Sequence, residues 1–198
     1  MIEQDVRMRI GYLHGYGSYF DENNIKVKAL SNLGDVVGLD VNYNNGNSVI
    51  DYASAWVIEQ QLDLIVGCSM GAWLASHVGA AVGIPSVMLN PALCPKESLR
   101  KYLDVPEGEL DWGGYPMTSI DSNVLSSYLD INKEGFGLVL LESSDNVFWY
   151  EHSKSKLDKY YEVIVIPGGS HRFESLGDQL DHISKHVELS ELIYGVDP

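Results

Sequence analysis

The chain has 198 residues, 45% of them hydrophobic and 21% charged, which suits one folded domain with a core of its own rather than a disordered segment. A formal net charge of −15 argues against nucleic acid and anionic membrane surfaces as partners, because there are too few cations to displace counterions from phosphates. The two cysteines, Cys68 and Cys94, make neither a disulfide framework nor a metal-ligand spacing; no secretion signal or membrane-length apolar run is visible, so the expectation is a soluble, cytoplasmic protein.

In chain order, the first strand pattern is "MRIGYL" (Met8–Leu13), which leaves into the glycine-rich "HGYG" (His14–Gly17). A helical pattern, "NNIKVKALSNLG", ends in Gly34 as a C-cap, and "VVGLDV" (Val36–Val41) is the second strand. "SVIDYASAWVIEQQ" reads as a helix opened by Ser48 as N-cap, with Ile50, Ala53, Trp56 and Val57 on one face. "LDLIV" (Leu62–Val66) is the third strand, "MGAWLASHVGAAVG" the next helix, and "IPSVML" (Ile84–Leu89) the fourth strand. From Ala92 to Glu134 the rhythm breaks into prolines, glycines and aromatics; a connection this long inside a domain reads as an ordered cap. "FGLVLL" (Phe136–Leu141), a helix after Asp145, "EVIVI" (Glu162–Ile166) and the helical "FESLGDQLDHISKHVEL" complete the set.

The strand runs are continuously apolar rather than alternating, as expected of strands covered on both faces. Alternation of strand with helix predicts a doubly wound α/β sheet of about six mainly parallel strands.

Gly67-Cys68-Ser69-Met70-Gly71 matches the G-x-S-x-G nucleophile elbow, a strained strand-to-helix turn that leaves the serine hydroxyl exposed. Five letters alone are weak; their position after a buried strand and before a helix is what the mechanism demands. Cys68 is expected to pack, not to attack.

A serine nucleophile needs a base. Of six histidines, His77 lies two turns into the helix after Ser69, and His182 and His186 are expected to be solvated on an acidic helix. His171 leaves the last strand through "PGGSHRF", and ligands in open α/β sheets gather at the carboxyl ends of strands. Two carboxylates, Glu142 and Asp145, follow the fifth strand. Asp145 lies further into the loop and is taken as the orienting acid, whereas Glu142 is expected to cap or pair with a neighbour and to act on stability. The oxyanion hole is expected from the amides of Met70 and of Tyr16, after the His14-Gly15 turn.

"YLHGYGS", "GCSMGAWLAS", "LNPAL", "SSDNVFWY" and "PGGSHRF" resemble, in order and spacing, the small bacterial esterases of the YqiA type, the UPF0227 group of the α/β-hydrolase superfamily. The resemblance runs from Tyr12 to about Leu189. It implies an α/β-hydrolase fold, here in a single domain over residues 1–198 with the cap insertion that the residue pattern sets at about 92–134, and carboxylesterase activity on small esters without metal or organic cofactor. Carried over residue by residue, the nucleophile falls on Ser69, the acid on Asp145 and the base on His171. Tyr16-Gly17 departs from the Phe-Asn usual after "HG", and the cap shows little likeness to the group.

The expected function is therefore a serine carboxylesterase working through an acyl-enzyme on a small-molecule ester. Trp112 and Tyr115 of the cap, with Tyr102, are expected to cover Ser69 and bind substrate. The alternatives are an acyl thioesterase and a catalytically silent hydrolase fold used for binding; a homo-oligomer is left open. Asn90 and Pro91 are expected to shape a strand exit rather than take part in chemistry.

Overall fold

The computed structural model describes residues 7–103, 105–106, 109 and 119–195. Six strands form one sheet: β1 (Met8–Leu13), β2 (Gly34–Leu39), β3 (Leu64–Cys68), β4 (Ser86–Leu89), β5 (Gly137–Glu142) and β6 (Glu162–Ile166). The spatial order is β2-β1-β3-β4-β5-β6, and every pairing is parallel. The chain starts inside the sheet, moves to the β2 edge, then crosses back beyond β1 to lay down β3. The order therefore reverses between β1 and β3, and in doubly wound sheets such a reversal is where ligands bind at the carboxyl ends of the strands.

The continuous apolarity of the strands follows from burial on both faces. On one face, Leu13, Ile65, Met88 and Val139 pack with α2 (Ser48–Glu59), α3 (Met70–Val82) and Leu157 of α6 (Tyr150–Leu157). On the other, Ile10, Leu64, Val66, Val87, Leu89, Leu138 and Leu140 pack with α1 (Ile25–Leu30) and with Ile183 of α7 (Leu180–Tyr194). Successive strand residues enter opposite clusters, as the pleat requires.

Several boundaries differ from the pattern reading. Gly34 opens β2 opposite Met8 and is no C-cap; a Cβ there would lie 2.1 Å from the Met8 carbonyl oxygen. Helix α1 ends at Leu30, with Ser31 as its C-cap. Asn47, not Ser48, is the N-cap of α2, while the Ser48 hydroxyl donates to the Asn45 carbonyl at 2.8 Å. His186 is buried and stacked on Phe136 at 4.4 Å between centroids, so its expected solvation does not hold. It lies three residues after Ile183, on the same inward stripe of α7.

Between β4 and β5 the described residues hold α4 (Pro95–Ser98), a 3-10 turn at Arg100–Tyr102, and α5 (Ser122–Ser127). A single parallel bridge joins Leu103 to Ile120. Leu99, Ile120, Leu125, Tyr128 and Ile131 join the core on the α2–α3 face. The Tyr128 hydroxyl donates to the Tyr43 carbonyl, and the Trp73 indole donates to the Leu129 carbonyl at 3.0 Å.

Candidate active site

Ser69 stands between the last residue of β3 and the first of α3, with φ 58° and ψ −117°. This conformation is costly for a residue with a Cβ and persists only where its surroundings enforce it. The enforcement is steric. A Cβ at Gly67 would lie 2.0 Å from the Gly71 carbonyl oxygen, so β3 and α3 approach at a distance only glycine allows. The Ser69 amide donates to the Leu89 carbonyl at 3.0 Å, and its own carbonyl accepts from the Ala72, Trp73 and Ala92 amides. The turn is thus tied to β4 as well as to the helix it starts.

The last strand delivers His171 to this turn. Its Nε2 lies 3.0 Å from Ser69 Oγ, and its Nδ1 lies 2.9 Å from Asp145 Oδ2. The Asp145 carboxylate is almost wholly enclosed, at 2% exposure against 20% for the imidazole. Its second oxygen accepts from the Val147 and Phe148 amides at 2.7 and 3.0 Å, a turn closed by the aspartate on its own loop. Phe148 also sets its ring edge-on to the imidazole, 4.9 Å between centroids. With one ring nitrogen held by a carboxylate, the other is free to accept a proton from the hydroxyl.

Glu142 is not part of this relay. It is fully buried, and its carboxylate accepts from the Ser170 amide at 2.6 Å and from the amide and hydroxyl of Ser175. Cys68 is buried as expected, and burial pushes its thiol above the ordinary range, which leaves it a poor thiolate. His77 is turned to the Asp130 carbonyl at 3.0 Å, outside the relay.

At the exit of β1, His14 is buried and hydrogen-bonded on both ring nitrogens. Nδ1 faces the Gly15 carbonyl at 2.8 Å, and Nε2 accepts from the Val41 amide at 2.9 Å. This fixes the proton on Nδ1, and burial lowers the ring's pKa, so the histidine is neutral. The His14 carbonyl accepts from the Tyr43 hydroxyl at 2.7 Å. The turn so held borders the serine: a Cβ at Gly15 would lie 3.4 Å from Ser69 Cβ and 3.8 Å from Oγ.

Tyr16 follows, its hydroxyl donating to Asn44 Oδ1 at 3.1 Å and its ring 4.7 Å from that of Tyr102. Met70 is the first residue of α3, where an N–H has no acceptor within its helix. Beside this turn a cavity of about 440 Å³ opens among Tyr16, Tyr19, Asp40, Asn42, Tyr43 and Asn44. Trp112 and Tyr115 lie outside the described residues.

The structure also draws in residues that pattern reading left at the margin. Asn90, at φ 43° after β4, sends Nδ2 to the Ser170 carbonyl at 2.9 Å and accepts the Glu142 amide at 2.9 Å. Asparagine tolerates that backbone region better than other residues with a Cβ. Among the described residues no group of three or more His, Cys, Asp or Glu is placed to hold a metal, and no helix is long and apolar enough to cross a membrane.

Comparison with known proteins bears on the family and the fold. The model of the uncharacterised protein family UPF0227 matches residues 9–188. The UPF0227 protein of Vibrio campbellii is 29% identical over 177 residues, covering 85% of this chain and 93% of the relative. Among solved structures, the esterase domain of a Rhodothermus marinus protein aligns with a TM-score of 0.65 at 14% identity, covering 93% of this chain and 89% of that one. The mouse α/β hydrolase domain-containing protein 10 aligns with a TM-score of 0.56 at 19% identity, over 96% of this chain and 90% of its own. At such identities the likeness is one of fold, and the fold is that of the α/β hydrolases.

Proposed function

The chain belongs to the UPF0227 family, and we propose that it is a serine hydrolase that cleaves small carboxylic esters through an acyl-enzyme. The observation that carries this reading is the contact chain Asp145–His171–Ser69, at 2.9 and 3.0 Å, ending on a serine at φ 58°. Three side chains from three separate strand exits meet in the order and geometry that nucleophilic acyl transfer needs.

In this reading Ser69 Oγ attacks the acyl carbon while His171 Nε2 takes its proton. Asp145 holds the imidazole by Nδ1 and stabilises the imidazolium as it forms. The carbonyl oxygen becomes an oxyanion, held by the Met70 and Tyr16 amides. His171 then gives its proton to the leaving alkoxide, and the ester bond to the alcohol breaks. Water, activated by the same imidazole, attacks the acyl-enzyme and releases the acid and the free serine. No step needs a metal or organic cofactor. The cavity of about 440 Å³ lies beside Tyr16, and its lining includes none of Ser69, Asp145 and His171; in this reading the insertion between β4 and β5 covers the substrate.

Labelling with a fluorophosphonate probe, with the modified residue located by mass spectrometry, tests the proposal together with hydrolysis of p-nitrophenyl acetate. Labelling of Ser69 that tracks loss of hydrolysis supports it. No labelling, or labelling at another serine, overturns it.

A further inference from the structure

The loop that carries His171 is an unfavourable piece of backbone. Gly168 and Gly169 have φ of 83° and 75°, and Phe173, which has a Cβ, has φ 55°. Such a segment keeps one shape only if its surroundings hold it, and here the holding groups are buried polar side chains from other elements. Glu142 of β5 accepts the Ser170 amide at 2.6 Å, and from beyond the histidine the Ser175 amide at 3.2 Å and the Ser175 hydroxyl. Asn90 donates to the carbonyls of Ser170 and His171, at 2.9 and 3.4 Å. The buried Lys26 of α1 donates Nζ to the Arg172 carbonyl at 2.7 Å. Ser143 Oγ accepts the Gly168 amide at 2.9 Å. Gly169 completes the fit: a Cβ there would lie 2.1 Å from the Glu142 carboxyl carbon.

A buried carboxylate and a buried ammonium are costly unless hydrogen bonds compensate them. The hydrogen bonds of both side chains go to the peptide units on either side of His171 and to Ser175, while the Glu142 carbonyl separately accepts the Asp145 amide at 3.1 Å. From this juxtaposition we propose that Glu142, Asn90 and Lys26 are positioning residues, a polar clamp that holds the His171 backbone so that Nε2 faces Ser69 before substrate arrives. The proposal rests on the serine-hydrolase reading above and extends it. Glu142 then acts on turnover through His171, beyond the stability role expected from its position next to a strand.

Glu142→Gln keeps the shape but turns an NH2 group toward donors, so the loop shifts. A displacement of about 1 Å at a reacting group costs up to roughly 100-fold. Glu142→Gln is expected to lower kcat by at least about 10-fold at nearly constant KM, with cooperative unfolding retained. Lys26→Met, which keeps the aliphatic stem, serves should the first variant not fold, and is expected to lower kcat by several-fold. The readout that a purely structural role would not move is the downfield proton resonance of His171 Nδ1–H against Asp145, observed without substrate. It should shift or broaden in both variants. Folded variants with kcat within twofold of the wild type and an unchanged resonance would overturn the clamp. Absence of hydrolysis and labelling in the wild type would refute the serine-hydrolase reading instead, and the resonance would still decide the clamp.

Discussion

Gly71 lies so close to the end of β1 that a Cβ on it would sit 2.0 Å from the Leu13 carbonyl oxygen and 2.7 Å from that of His14. Both obstacles are backbone atoms, which cannot rotate away as a side chain can. This contact presses the start of α3 against the β1 exit and brings Ser69 beside the turn that leads to Tyr16. Gly71→Ala is therefore expected to cost about 1–3 kcal/mol by overpacking, with a loss of turnover beyond what partial unfolding explains. Gly177→Ala is the control, because a Cβ there finds nothing nearer than 4.0 Å. Its denaturation midpoint should stay close to the wild type, and equal effects of the two substitutions would contradict the steric account.

Ser69→Ala removes the proposed nucleophile and leaves a Cβ in the same strained turn. Turnover of p-nitrophenyl esters is expected to fall by roughly 10⁴-fold or more, as for other members of such triads. Thermal unfolding should remain cooperative. Retention of most of the activity would sink the mechanism.

Asp145→Asn leaves the shape of the loop but lets an amide face His171 Nδ1, which favours the wrong imidazole tautomer. Turnover is expected to drop by about two to four orders of magnitude with little change in KM. The measurement is kcat at a pH well above the histidine range, beside Glu142→Gln. Asp145→Asn should be the more damaging of the two, since the Asp145 carboxylate meets the imidazole whereas the Glu142 carboxylate meets the loop that carries it. The reverse ranking would move the acid to Glu142.

Acid sensitivity is expected from His186. Burial lowers its pKa from 6.5 to about 4, so between those values the unfolded chain binds a proton that the folded chain refuses. The sign follows from proton linkage: the unfolded state gains, and stability falls as pH drops from 6.5 toward 4, by up to about 1.4 kcal/mol per pH unit. Above pH 6.5 both states are neutral and the effect vanishes. Chemical denaturation of the wild type and of His186→Leu at pH 7.5 and pH 4.5 should show a smaller acid loss in the variant. Parallel pH profiles would exclude His186 as the source.

Tyr102 belongs to the proposed cap and lies 4.7 Å from the Tyr16 ring. Tyr102→Ala should flatten the dependence of kcat/KM on acyl-chain length. Each methylene buried against an apolar wall contributes about 0.8 kcal/mol, so the wild-type preference should be a graded slope. A chain-length profile that Tyr102→Ala leaves untouched would make this part of the cap a surface element.

The six strands are legible in the residues because each is buried on both faces, and burial writes itself into a run of apolar side chains. The runs from Met8 to Leu13 and from Glu162 to Ile166 coincide with β1 and β6. The others slip by one or two residues: β4 begins at Ser86, past Pro85, and in the remaining three a glycine joins the pairing. Gly34 extends β2 at its start and Gly67 lies within β3, because close backbone approach, not apolarity, decides those positions. The elbow was readable for a related reason: small residues around a lone serine at a strand-to-helix junction are a local requirement, expressed within five positions.

What the sequence by itself determined is therefore local: the alternation of strand and helix, the serine turn, and the order in which Ser69, Asp145 and His171 follow their strands. What only the tertiary structure decided is which distant groups meet. Glu142 and Asp145 are three residues apart and chemically alike, yet Asp145 faces the imidazole while Glu142, continuing the strand, projects beneath the loop after β6. Lys26 and His186 look like surface residues in an acidic chain, but one grips the Arg172 carbonyl and the other stacks on Phe136. The physical reason is range. Apolar periodicity and glycine sterics act between neighbours in the chain, whereas these contacts, Lys26 to Arg172 spanning 146 residues, exist only once strand order and register have brought separate elements together.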